Sequence, residues 1–178
     1  RPVRPVCVVV AGPAASGKSV VGADLASRWE VPFSDADDLH PARNRALMAA
    51  GTALTDDDRW PWLAAVGQRL SDASADGGGV LACSALKADY RDRIRAHVPH
   101  AWFAVLTGDA ATVSARAASR STHFMPASLV PSQMKLLEPL RPDERGAMVD
   151  VTAVPAAEVA AAVFSAYERD NGATPFPR

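Results

Sequence analysis

The sequence predicts an α/β fold: a five-stranded parallel sheet with helices on both faces. Two observations carry this expectation. Five short apolar runs of the kind that fill buried strands alternate along the chain with segments of helical periodicity, the pattern of βαβ units. The first of those runs also enters a glycine-rich loop that leads directly into a helical segment. With 178 residues, the chain is long enough for one domain with a sizeable core.

Taken in order, "PVCVVVAG" (5–12) is short, β-branched and closed by glycine, so it reads as a buried strand. From Gly17 onward, Val20, Val21, Leu25 and Trp29 recur at the spacing of one helix face. "VPFSDAD" (31–37) is the second strand, followed by helical patterns over about 37–50 and 59–73. "SDASADGGG" (71–79) reads as a surface loop before the third strand, "GVLACSAL" (79–86). A helix over 87–97, the strand "AWFAVLT" (101–107) and a helix over 109–120 come next. The stretch 121–145, rich in Ser, Pro, Met and charge, is expected to be a mobile flap followed by a short helix. "AMVDVTA" (147–153) is the fifth strand, and 156–169 the last helix. "NGATPFPR" reads as a disordered tail, which leaves a single domain over 1–170 and a tail over 171–178. No internal repeat is visible.

Composition narrows the function. Hydrophobic residues make up 48% and charged residues 22%, with a net charge of −1. A protein that held nucleic acid through its phosphates would be basic, so no nucleic-acid partner is expected. No apolar run reaches the roughly 18 residues that span a bilayer, so no membrane partner is expected. The opening "RPVRPVCVVV" runs straight into the glycine loop without a cleavage site, unlike a signal peptide. Cys7 and Cys83 both fall in strand-like runs and read as buried free thiols in a reducing cytoplasm.

Gly12-Pro13-Ala14-Ala15-Ser16-Gly17-Lys18-Ser19 fits the phosphate-binding pattern G-x-x-x-x-G-K-[ST] between a strand and a helix. Gly12 and Gly17 allow turns that a Cβ would block, and the loop N–H groups then face phosphate oxygens. The helix adds the positive end of its dipole. Lys18 is placed to meet the β- and γ-phosphates, and Ser19 to supply an oxygen to Mg²⁺. At average glycine usage the full pattern arises by chance in under about 1% of chains of this length. The expected nucleotide set is Gly12, Ala14, Ala15, Ser16, Gly17, Lys18, Ser19, Val20 and Arg116.

The acceptor is read from the other strand ends, the edge where parallel sheets bind ligands. Asp35 and Asp37 stand there, Asp35 toward the metal and Asp37 toward a substrate hydroxyl whose proton it would take. Capping of the next helix is the competing role for these acids. Asp56, Asp57 and Asp58 look like a helix start, and Trp60 and Trp62 like packing residues. Ser84 ends the third strand facing the cleft. Lys87, Arg91 and Arg95 recur every four residues as a basic stripe whose first members could hold an anionic group. Arg116 and Arg120 lie one turn apart before the flap, where arginine suits the charge of a transferring phosphoryl group. His123 is a candidate substrate ligand or a plain flap residue.

Together, "GPAASGKS", "DADDLHPARN", "LTDDDRWPWL", "CSALKADYRDRIR" and "HFMPASLVPSQMKLLEPLRPDE" resemble the small bacterial gluconokinases, in that family's order and over about residues 6–165. The resemblance implies a fold like adenylate and shikimate kinases, a P-loop NTPase-type sheet of order 2-3-1-4-5. A substrate segment over about 35–75 and a lid over about 116–141 would accompany it. It implies ATP- and Mg²⁺-dependent phosphorylation of D-gluconate at the 6-hydroxyl, in a homodimer. It marks Lys18, Asp37 and Arg120 as catalytic, and Ser19 and Asp35 as metal-binding. The substrate set becomes Asp37, His40, Arg45, Ser84, Lys87, Arg91 and His123. The chain departs from the family pattern at Ala36 and Thr122, where glycine is usual, and at Ala53 in "GTAL". The competing readings are a related kinase for another hydroxy acid, such as shikimate, and a nucleotide-dependent switch with no small substrate.

Overall fold

Five strands assemble into one parallel sheet: β1 (Val6–Ala11), β2 (Phe33–Asp35), β3 (Gly78–Cys83), β4 (Trp102–Thr107) and β5 (Gly146–Asp150). A computed structural model describes residues 5–13, 16–108 and 130–172. The sheet order is β2-β3-β1-β4-β5, as expected. Between and after the strands run α1 (Lys18–Trp29), a 3-10 turn (Ala36–Leu39), α2 (Ala42–Ala49), α3 (Asp56–Ala75), α4 (Ala88–Arg95), α5 (Val130–Leu136) and α6 (Ala156–Asn171).

β1 lies in the middle and divides the core by strand alternation. Val6, Val8 and Val10 point to one face and pack with Val21 and Leu25 of α1 and Val159 and Val163 of α6. Cys7, Val9 and Ala11 point to the other and pack with Leu63 and Val66 of α3 and Ile94 of α4. Both faces are therefore covered, which is why β1, β3 and β4 read as continuous apolar runs rather than alternating ones. Cys7 and Cys83 are buried and unbridged. Among the described residues, no helix is long and apolar enough to cross a membrane.

The structure corrects the element boundaries in three places. The single helix expected over 37–50 is broken: His40 is extended (φ −65°, ψ 134°), as a residue before proline prefers, and α2 starts after Pro41. α3 starts at Asp56, because Thr55 and Asp58 form a reciprocal capping box, and it runs on to Ala75 through the expected loop. β3 then begins at Gly78 (φ +118°), where a Cβ would lie 2.5 Å from the Val6 carbonyl oxygen. The described end of the expected flap is tied down as well. The Glu138 N–H donates to the Leu86 carbonyl at 2.7 Å, and the Glu138 carboxylate caps α4 by accepting from the Ala88 N–H at 2.8 Å.

Candidate active site

The loop after β1 has the geometry of an anion cradle. Gly12 (φ +153°) approaches β4 so closely that a Cβ would lie 2.9 Å from the Leu106 carbonyl oxygen and 2.8 Å from Ser16 Oγ. Gly17 (φ +89°) takes the left-handed turn that opens α1. Ser16 Oγ is enclosed and has no hydrogen-bond partner. A buried hydroxyl facing a glycine-lined hollow at a helix start fits a phosphate group. Lys18 is 5% exposed at the same point, and Val20 is an exposed apolar side chain on the first turn of α1. Ala14 and Ala15 lie outside the described residues, as do Arg116, Arg120 and His123.

Asp35 serves two partners. Its Oδ2 accepts from Ser19 Oγ at 2.7 Å, and its Oδ1 accepts from the Asp37 N–H at 2.9 Å, capping the 3-10 turn. The capping role therefore falls on the same carboxylate that holds Ser19. A hydroxyl and a carboxylate fit Mg²⁺, which keeps most of its shell as water and substrate phosphate. The Cys83 thiol ties these groups together spatially. Burial pushes its pKa up, the charges of Asp37 and Asp35 add to that, and Lys18 opposes them. Asp37 is half-buried in the turn, and its carbonyl accepts from Arg45 Nη2 at 3.0 Å.

Beside this corner opens a cleft of about 390 Å³ whose wall includes His40, Leu54, Arg59, Trp62, Ser84 and Gln133. His40 is 8% exposed and stacks on Trp62 at a ring distance of 4.1 Å. Burial, then the charges of Arg45 and Arg59, lower its pKa to about 4, so the imidazole is neutral at neutral pH. Arg59 is 9% exposed, and its Nη1 donates to the Tyr90 hydroxyl at 3.1 Å. Asp56 lies 3.8 Å from Arg59 and 3.4 Å from Lys87 Nζ, and also accepts from the Tyr90 hydroxyl. One carboxylate thus faces two cations, which leaves a positive balance at this wall.

His40 and Ser84 line the cleft, while Lys87 is held by Asp56. Arg91 requires a correction. It is fully buried, and its guanidinium holds Glu144 through Nε at 2.7 Å and Nη2 at 3.0 Å. The same fork reaches the carbonyls of Leu86 (3.2 Å), Glu138 (3.1 Å) and Pro139 (3.1 Å). No donor is left for a substrate, so Arg91 is a brace between the end of β3 and the segment after α5. Arg95 joins the same network through Glu144 and Asp92.

Sequence reading passed over Arg59 and Asn44. The signal for Arg59 was present: it lies on the stripe Arg59, Trp62, Leu63, Val66, Leu70 that α3 buries. A charge on a buried stripe calls for a partner or a ligand.

No protein-family model matches the chain. Over 142 residues, 77% of this chain and 74% of the other, it is 42% identical to the thermosensitive gluconokinase of Escherichia coli K12. Among solved structures it resembles a gluconokinase from Sinorhizobium meliloti 1021, with a TM-score of 0.84, 41% identity and 95% of each chain covered. An unliganded sugar kinase from Janibacter sp. HTCC2649 superposes with a TM-score of 0.86 at 37% identity, covering 96% of each chain.

Proposed function

The chain belongs to the gluconokinase family, and we infer that it transfers the γ-phosphoryl group of ATP to the 6-hydroxyl of D-gluconate, giving 6-phospho-D-gluconate and ADP. The observation that carries this reading is the cleft wall beside the phosphate loop, with the buried cation Arg59, the neutral donor His40 and the hydroxyl of Ser84. A polyhydroxy acid needs one cation for its carboxylate and several neutral partners for its hydroxyls, and this wall supplies both. A nucleotide switch has no use for such a wall.

Each residue's part follows from its place. The loop from Gly12 to Ser19 and the start of α1 hold the phosphates, with Lys18 neutralising charge between donor and acceptor. Ser19 and Asp35 hold Mg²⁺, which supplies charge neutralisation at the phosphates. Asp37 accepts the proton of the attacking hydroxyl, and Arg45 fixes the turn that carries it. Arg59 pairs with the substrate carboxylate, and Lys87 supports it through Asp56. Arg116, Arg120 and His123 complete the nucleotide and lid side, as the resemblance implies. Transfer then depends on positioning more than on covalent chemistry. The reading includes a homodimer working in the cytoplasm, a compartment that suits the two free thiols.

The test is ADP release, coupled to a spectroscopic readout, with D-gluconate set against a panel of sugar acids and shikimate. Gluconate is expected to give the highest kcat/KM by a wide margin. Preferential turnover of another acid would replace the substrate, and ADP release indifferent to every acid would sink the kinase reading.

A further inference from the structure

We propose that Asn44 fixes His40 as the Nε2–H tautomer, making the imidazole a permanent neutral hydrogen-bond donor to a hydroxyl of the sugar acid. The proposal deepens the gluconokinase reading and rests on it for the identity of the ligand. Asn44 is 2% exposed on the inner side of α2. Its Nδ2 donates to the Asp58 carbonyl at 2.9 Å, which fixes the orientation of the amide, since two carbonyl oxygens would repel each other there. The same Nδ2 lies 3.3 Å from His40 Nδ1. An amide nitrogen carries two hydrogens and offers no acceptor, so Nδ1 accepts and bears no proton. The single hydrogen of the neutral ring is then on Nε2, the remaining ring nitrogen of a residue that lines the cleft.

The ring cannot turn away from this arrangement. It lies on Trp62 with the two planes 11° apart, and Trp62 is itself pinned by its indole N–H, which donates to the Ala36 carbonyl at 2.7 Å. Burial and the neighbouring guanidinium groups of Arg45 and Arg59 oppose protonation of the ring. A neutral donor next to a cation sorts the two ends of the ligand. The carboxylate gains most at Arg59, because charge-assisted hydrogen bonds are the stronger ones. The hydroxyl goes to His40 Nε2–H. Asn44 touches no substrate and acts through the ring it holds, so it is a positioning residue.

The tautomer is read directly by two-bond ¹⁵N–¹H correlation on the full chain labelled at its four histidines, with His40 assigned by its loss in His40→Gln. Without substrate at pH 7, His40 is expected to show protonated Nε2 and bare Nδ1. An Nδ1–H ring or an imidazolium would overturn the proposal. Asn44→Asp places an acceptor at Nδ1, so that nitrogen gains a proton. The KM for gluconate should then rise about three- to tenfold, the worth of one neutral hydrogen bond, with the KM for ATP unmoved. A switched tautomer with unchanged gluconate KM would refute the donor role.

Should Asn44→Asp not fold, a second pair of variants decides. His40→Gln carries an amide nitrogen near the place of Nε2 and should raise the gluconate KM only slightly. His40→Asn reaches only the place of Nδ1 and should raise it several-fold further. Equal KM values for the two would count against the proposal, because loss of packing alone does not rank Gln above Asn. If the wild-type chain does not turn over gluconate, the functional reading falls. The tautomer is still measured, and the KM comparison is made with the acid that the panel selects.

Discussion

Replacing Arg91 by alanine separates a brace from a ligand. The guanidinium is fully buried and meets Glu144 in a two-point contact at 2.7 and 3.0 Å, with four backbone carbonyls at 3.1 to 3.4 Å. The Glu144 side chain is 1% exposed. Burial pushes its pKa up, but hydrogen bonds from Arg91, the Arg141 N–H and Arg95 outweigh that and hold it at about 2. Arg91→Ala leaves this carboxylate and four carbonyls short of a donor. Breaking a buried pair from one side costs about 3–5 kcal/mol. For a chain of this size each kcal/mol lowers Tm by about 2–4 °C, so a fall of roughly 6–20 °C is expected by calorimetry. Arg91→Met with Glu144→Leu removes both charges and should recover part of that loss, a coupling that additive single changes would not show. Kinetics measured well below the transition should give a near-wild-type KM for gluconate. A Tm unchanged within error together with a raised gluconate KM would refute the brace and return Arg91 to the substrate.

Three further outcomes are expected. Arg59→Met keeps volume and removes the cation, so the KM for gluconate should rise about 10- to 100-fold, the range for a charged hydrogen bond, with the KM for ATP unchanged. Equal effects on both substrates would place Arg59 outside the acid subsite. Asp35→Asn should raise the Mg²⁺ concentration needed for half-maximal rate, measured by titration at saturating ATP, and an unshifted titration would leave Asp35 only its cap. Acid should weaken the fold in two stages, followed by urea midpoints from pH 7.5 downward. His40 has a folded pKa of about 4. Between its ordinary 6.5 and that value the unfolded chain takes up a proton that the folded chain refuses, costing up to about 3 kcal/mol. Glu144 stabilises above its ordinary 4.5, and that contribution is lost as pH falls toward 2. His40→Gln should remove the first stage alone, and an unaltered slope between pH 6.5 and 4 would contradict the burial argument.

Whatever is local in sequence was legible. The sheet could be read because strands covered on both faces must be apolar throughout, and the phosphate loop because its glycines, lysine and serine are contiguous. Asp35 was legible as a strand-end carboxylate, and its two hydrogen-bond partners are Ser19 of the phosphate loop and the Asp37 N–H of the following turn. The break at His40–Pro41 was legible in principle, since proline biases the residue before it away from the helix, but helical periodicity on either side masked it.

The assignment of Arg91 to the substrate failed for a physical reason. A spacing of four places Lys87, Arg91 and Arg95 on one helix face, yet spacing does not say what that face meets. For Arg91 and Arg95 the answer is Glu144, 53 residues beyond Arg91 in the chain, and no local pattern records it. Arg59 is the converse case. Arg91 and Arg59 are both arginines among apolar neighbours, and the difference between them is saturation. Arg91 spends its fork on one carboxylate and four carbonyls. Arg59 donates to a neutral phenol and shares Asp56 with Lys87, so its charge is incompletely met. A buried cation with an unfilled requirement beside an open cleft is stabilised when an anion enters, and that stabilisation is available as binding energy for the acid. The same reasoning bears on the histidine beside it, whose protonation burial, Arg45 and Arg59 oppose. On the proposed reading, a second full charge at His40 would compete with Arg59 for the carboxylate and erase the difference between the two ends of the substrate, on which the placement of a hydroxyl at Asp37 would depend.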